Sequence, residues 1–242
     1  MKAGKLADAA PGTRRTSASG HNRCVIAHFL RHGESASNAE PGRDLPDASG
    51  DRLTKRGHEQ AALAADHLTG LGITRLWTSP MRRARETAAP VAKRLGLEPE
   101  VHDDLRELRQ SDDYGELSGE EQRLRRWSAW MAEHPDSPDY APAGGESFAE
   151  VSARVGRVKQ RLLEHPGERV LAVSHGIFLR FFFVDSLLGA DFGPDQARRL
   201  WQLRTLNCGL SAFEHTVPGD PLDPAEDEWR CLSWMGRPWD PP

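Results

Sequence analysis

Cysteine is scarce in this chain. Its 242 residues hold three, Cys24, Cys208 and Cys231, far apart and without a Cys-x-x-Cys pair, which excludes a disulfide scaffold and argues against a structural zinc site. A reduced, cytoplasmic setting is the simplest expectation. Long apolar runs are also missing. The oiliest stretch, Ile177 to Val184, is broken by Arg180 and falls far short of the roughly 20 residues that span a bilayer, so no membrane partner is expected. Neither sign of charge dominates: 32 basic against 36 acidic residues leave a net charge of -4, and no broad cationic field marks the chain for nucleic acid. The first twenty residues are polar and basic with no apolar centre, unlike a secretion signal. Residues 1–22, with Lys2, Lys5, Arg14 and Arg15 among Ser, Thr and Gly, read as a disordered arm ahead of one domain over 23–242. Internal repeats and low-complexity tracts are absent.

What is present is a globular composition, 38% apolar and 28% charged with a mean hydropathy of -0.63, enough for one generous domain. Cys24 to Leu30 is a short apolar run with β-branched members, the mark of a buried strand. A polar loop to Arg52 follows. Thr54 then caps a helix carrying Ala61, Leu63, Ala64 and Leu68 that ends at Gly70. Ile73–Trp77 is a second strand, and Ser79 with Pro80 reads as the cap and first position of a helix running to Gly96, bent at Pro90. Leu97–Val101 is a short strand, with an irregular polar stretch after it. Ser118 and Glu121 form a capping box for a helix through Met131. Phe148, Val151, Val155, Val158 and Leu162 repeat as an amphipathic stripe. Val170–Val173 is a buried strand leading through Ser174-His175-Gly176 into an apolar helix. Trp201–Leu203 and Leu210–Phe213 read as late strands and Trp229–Trp234 as an edge strand. The Trp229–Trp239 segment could then serve as a homodimer interface or as a tail laid on the core. Strands alternating with helices predict a three-layer α/β/α sandwich around a mainly parallel sheet.

Two of these strands end in histidine followed by glycine, His32-Gly33 and His175-Gly176. Ligands of open α/β sheets bind beyond the carboxyl ends of the strands, and glycine there lets backbone amides approach an anion. Arg31 beside His32, and Arg83 in the first turn after Ser79-Pro80, supply planar cations that match the oxygens of a phosphate group. Helix N-termini at the same end of a sheet add amide dipoles that favour anions. Other features take plainer readings. Trp127, Trp130 and Trp201 suit core or pocket wall, and Arg123, Arg125 and Arg126 a solvated helix face. Cys208 suits a buried small residue, while His58, His67 and His215 carry no signal.

Arg31-His32-Gly33-Glu34-Ser35, with Asn38 after it, resembles the opening signature of the histidine phosphatase superfamily, the phosphoglycerate-mutase-like proteins. The resemblance continues in family order through Leu53 to Ala61, Ser79 to Ala88, Leu105-Arg106-Glu107, Gly145-Glu146-Ser147, Ser174-His175-Gly176 and Asn207-Cys208, covering roughly residues 24 to 234. It implies a phosphoglycerate-mutase-like fold with His32 as the nucleophile that becomes phosphohistidine. Arg31, Arg83 and His175 would clamp the phosphoryl oxygens, Asn38 would add a donor, and Glu107 would be the general acid. Ser35 and Gly176 occupy the places that separate the glutamate-donor branch from the acid-phosphatase and phytase branch, and would line the substrate site. An imidazole attacks only when neutral, and flanking arginines disfavour its protonated form. Phosphoryl transfer then rests on positioned cations. The scheme requires no cofactor and no metal, only a small phosphorylated substrate or inorganic phosphate as partner.

The chain departs from the family pattern at the donor. Five residues, Arg109 to Asp113, separate Leu108 from the family-like Tyr114-Gly115 pair. Either this loop bulges over the pocket, or Asp113 or Glu116 is the donor instead of Glu107. The Phe-x-Gly-Trp and Glu-Arg-x-Tyr-Gly stretches of true phosphoglycerate mutases are absent. The expected activity is hydrolysis of phosphomonoesters by a phosphatase. A phosphoglycerate-type mutase and a catalytically idle phospho-ligand-binding protein are the alternatives.

Overall fold

A computed structural model describes residues 24–40, 51–109, 137–141, 144–197, 199–215 and 228–239. Six strands, β1 (Val25–Arg31), β2 (Arg75–Thr78), β3 (Pro99–Val101), β4 (Arg169–Ser174), β5 (Leu210–His215) and β6 (Trp229–Gly236), form one sheet in the order β3-β2-β4-β1-β5-β6. The first four in that order run parallel, and β5 and β6 add antiparallel neighbours at one side. The described helices are α1 (Ala36–Ala39), α2 (Lys55–Leu68), α3 (Arg82–Leu95), α4 (Phe148–Leu163), α5 (Gly176–Leu188) and α6 (Pro194–Ala197). None of them is long and apolar enough to cross a membrane.

The sheet is buried on both faces, which is why its central strands read as continuous apolar runs. On one face Ala27, Phe29, Val170 and Ala172 pack with Val151, Val155, Phe178, Phe181 and Phe182 of α4 and α5. On the other, Leu30, Leu171 and Val173 meet Ala61, Ala64 and Leu68 of α2 and Ala84, Ala88 and Val91 of α3. The alanine-rich faces of α2 and α3 suit close approach to the sheet. Together these layers are the expected α/β/α sandwich, with both helix pairs aligned to bring strand ends and helix N-termini to a common edge.

Local chemistry sets the element boundaries. The Thr54 hydroxyl accepts from Gly57 N at 3.1 Å, and Ser147 with Glu150 makes a reciprocal capping box for α4, each leaving fewer orphan amides in a first turn. α3 closes at Gly96, whose φ of 67° is left-handed, as expected. Three readings need correction. α2 is followed by a tight turn over Thr69–Leu71 and its left-handed stop is Gly72, not Gly70. Ser79 does not cap α3: that helix begins at Arg82 after Met81, and the Ser79 hydroxyl, which accepts from Met81 N in the turn before it, also meets His175 Nε2 across the fold. Trp201–Leu203 is not a strand. Leu200–Gln202 forms a 3₁₀ turn, and the Arg180 guanidinium stacks 4.6 Å from the Trp201 ring centroid. Trp239 packs against His67, with ring centroids 5.0 Å apart, so the segment after β6 lies on the core beside α2. The helix expected after Ser118, Trp127, Trp130, the Arg123–Arg126 cluster and the alternative donors Asp113 and Glu116 lie outside the described residues.

Candidate active site

β1 and β4 are adjacent and parallel, with Arg31 opposite Ser174. The next residue of each chain is a histidine, so His32 and His175 leave the sheet side by side, and His32 N donates to Ser174 O at 3.0 Å. Their rings stand 5.2 Å apart between centroids, tilted by 53°, and both residues are buried. One pocket therefore holds both.

The His32 Nδ1 lies 2.7 Å from Gly33 O. A carbonyl can only accept, so Nδ1 carries the proton and Nε2 a bare lone pair. Arg83 Nε donates to that Nε2 at 3.2 Å. Burial, then the charges of Arg83 and Arg31, hold the His32 pKa well below its ordinary 6.5. His175 is depressed in the same direction by burial and then chiefly by Arg83. Both imidazoles are thus neutral at neutral pH, the state in which one can attack phosphorus.

Arg83 is buried in the first turn of α3. Its Nη1 lies 3.5 Å from Asp51 Oδ2, and its own pKa is lowered by burial while Glu107 and Asp51 raise it. Arg31 donates from Nη1 to Thr205 O at 3.0 Å. Gly176, the first residue of α5, is the reason that approach is open: a Cβ there would sit 3.1 Å from Thr205 Oγ1 and 3.4 Å from Arg31 Nε. Gly33 is similarly required, since a Cβ on it would meet Gly57 O at 2.6 Å.

Glu107 reaches the same pocket from the turn after β3. Its Oε1 accepts from Ile177 N and Phe178 N, both at 3.1 Å, so the carboxylate seats on the N-terminus of the helix that begins one residue after His175. Asn38 Oδ1 accepts from Asn207 Nδ2 at 2.8 Å, and the same Nδ2 reaches His32 O at 3.2 Å. Ser35 is buried, bridges to Leu53 through its backbone, and places its hydroxyl 3.1 Å from Ser37 Oγ, within its own loop. The structure therefore gathers Arg31, His32, Arg83, Glu107, His175 and Gly176. It joins Asn38 to them through Asn207, and leaves the Ser35 hydroxyl in the supporting loop.

Several supports were not legible as such. Thr87 Oγ1 accepts from Gly33 N at 3.0 Å and donates to Arg83 O at 2.7 Å, tying α3 to the first histidine's loop. Asp51, buried at the end of a polar loop, accepts from Ser37 N at 3.1 Å and Ser37 Oγ at 2.5 Å. Nothing in its sequence context separates it from a solvated loop charge. Ser79 carried a signal that pointed to the wrong job.

This geometry, two neutral histidines with a buried Arg83 and a half-buried Arg31 at the carboxyl edge of a parallel sheet, is suited to an α/β protein that handles phosphoryl groups. The sequence profile of the histidine phosphatase superfamily (branch 1) matches residues 27–222, and the chain belongs to that superfamily. It is 33% identical over 216 residues to a probable phosphoglycerate mutase of Salmonella arizonae, covering 86% of this chain and 89% of the relative. Among solved structures it resembles a mycobacterial glucosyl-3-phosphoglycerate phosphatase, with a TM-score of 0.65 at 23% identity over 89% of this chain and 100% of that one. A putative alpha-ribazole-5'-P phosphatase from Escherichia coli gives a TM-score of 0.64 at 24% identity, covering 88% and 97%. These likenesses establish a shared fold.

Proposed function

We propose that the protein is a metal-independent phosphatase that hydrolyses phosphomonoesters through a phosphohistidine on His32. The observation that carries this reading is the unprotonated Nε2 of a buried, neutral His32, which accepts from Arg83 Nε at 3.2 Å, with the His175 ring at 5.2 Å. Nε2 attacks phosphorus as the bond to the leaving oxygen breaks. Glu107 gives its proton to that oxygen, and the alcohol departs. Water then attacks the phosphoryl group, Glu107 takes the water's proton, and the P–N bond breaks to return His32 and release phosphate. Arg31, Arg83, His175 and the Asn38 amide hold the equatorial oxygens, where charge spreads in a loose transition state. Gly176 keeps the wall thin at that point. Three separate thiols suit a cytosolic enzyme.

A second reading, a phosphoglycerate-type mutase that returns the phosphoryl group to another hydroxyl, is favoured by the 33% identity to a probable mutase. Against it stands the lack of both mutase-specific stretches. Hydrolysis of p-nitrophenyl phosphate, with His32→Ala abolishing turnover and an acid-labile phosphoenzyme, is the expected result. Wild-type rates in that variant would refute the mechanism, and interconversion of phosphoglycerates in a coupled assay without phosphate release would select the mutase.

A further inference from the structure

Ser79 is buried with no exposed surface, and its hydroxyl has two neighbours. Met81 N donates to Ser79 Oγ at 3.3 Å, and His175 Nε2 lies 2.8 Å from the same oxygen. A backbone amide cannot accept, so among the described residues the hydroxyl proton has one acceptor, the lone pair of His175 Nε2. Were Nε2 to carry the proton instead, Ser79 Oγ would accept twice and strand its own hydrogen in a dry interior, at the cost of an unmade bond. The tautomer with its proton on Nδ1 leaves one group unmet, Nδ1–H itself, whereas the other leaves two, the Ser79 hydrogen and the Nδ1 lone pair, so the imidazole proton of His175 sits on Nδ1. That atom is buried and has no hydrogen-bond partner. It is a donor awaiting an acceptor, on a ring whose centroid is 5.2 Å from that of His32.

We infer that Ser79 is a positioning residue that fixes the tautomer of His175, so that Nδ1–H points a neutral donor at a phosphoryl oxygen. This deepens the phosphatase reading and rests on it for the identity of the acceptor. The two histidines carry their protons on the same ring atom and use them oppositely. His32 ties its Nδ1–H to Gly33 O and offers Nε2 as the nucleophile. His175 ties its Nε2 to Ser79 and offers Nδ1–H to the anion. In the other tautomer His175 would turn a lone pair on the phosphate and repel it. The two hydrogen bonds, one to a carbonyl and one from a hydroxyl, divide attack from clamping between chemically identical rings.

The test is a ¹⁵N spectrum of histidine-labelled, full-length protein saturated with inorganic phosphate. The His175 Nε2 resonance should be of the unprotonated, pyridine-like type and Nδ1 of the protonated, pyrrole-like type; the reverse assignment would overturn the inference. Ser79→Ala should weaken inorganic phosphate binding by about tenfold, the worth of a well-placed hydrogen bond. In a His175→Ala background the same change should cost less than about twofold, because Ser79 acts through that ring. A full loss in both backgrounds would mean that Ser79 only supports the fold, and would also overturn it. Failure of the parent reading is visible separately, as wild-type protein that forms no phosphoenzyme whatever the His175 spectrum shows.

Discussion

Glu107→Gln and Glu107→Ala should separate two jobs that one carboxylate performs. The first is structural. Glu107 Oε1 accepts from Ile177 N and Phe178 N at 3.1 Å, and Oε2 accepts from Ile177 N at 3.1 Å. These amides belong to the second and third residues of α5, whose own N-cap is His175. Glutamine keeps an acceptor oxygen for these amides, so a loss of no more than about 0.5–1 kcal/mol is expected. Alanine loses the cap, and about 1–2 kcal/mol is expected in urea denaturation. The second is the proton donation proposed for it, where removal of a general acid costs on the order of 10²–10⁴ in rate. That penalty should fall on alkyl phosphates such as glycerol phosphate. The nitrophenolate of p-nitrophenyl phosphate departs without a proton, and its kcat/KM should fall by only about the fewfold disturbance that loosening His175 brings. Equal losses on both substrates would refute Glu107 as the donor, and unchanged stability in the alanine variant would refute the cap.

Asp51→Ala should leave Arg83 without its carboxylate at 3.5 Å and Ser37 without its acceptor. Because breaking a buried pair is costly, a destabilisation of about 3 kcal/mol is expected by denaturation, together with weaker inhibition by inorganic phosphate; phosphate inhibition at wild-type strength would show that Asp51 does not position Arg83. His28, buried on β1, has its pKa pushed down to about 4 by burial and then by Arg169. The unfolded chain takes up this proton near pH 6.5 and the native protein does so only near 4. The neutral ring therefore contributes full stability above about pH 6.5, and this is lost as pH falls toward 4, at about 1.4 kcal/mol per unit. His28→Leu should flatten that slope, gaining on wild type by about 3 kcal/mol between pH 7 and 4, and parallel stability curves for the two proteins would refute the assignment.

The sheet was legible because β1 and β4 are buried on both faces and must read as apolar runs. α2 and α4 were legible because a cap and a stripe of small or branched residues coincide. Arg31, His32, Arg83 and His175 showed themselves through position, at strand ends and in a first helical turn. What stayed hidden is the layer behind them. Ser79 has the local chemistry of a helix cap and keeps a local bond from Met81 N at 3.3 Å, but nothing in the sequence announces its second partner, His175 Nε2 at 2.8 Å. Likewise Trp201 has strand-forming bulk, but Arg180 stacked on its ring holds it in a turn. Asp51 and Thr87 act across more than thirty residues of chain, on Arg83 Nη1 and Gly33 N respectively, a separation that no local pattern encodes.

The pocket depends on registry more than on any single residue type. Parallel pairing sets Arg31 against Ser174 and Leu30 against Val173, and the two histidines follow at the same level. Slipping β4 along β1 by one residue would displace His175 by about 3.3 Å and turn its side chain to the opposite face of the sheet. The same slip would drive Val173 out of the cluster it shares with Leu30 and Leu171, and expose apolar surface worth about 2 kcal/mol for that side chain alone. The hydrophobic pattern of two strands, selected by what each face must bury, therefore fixes the distance between the His32 and His175 rings. The chemistry is aligned by the core, and a core substitution on β4 that permits slippage should lower activity before it unfolds the protein.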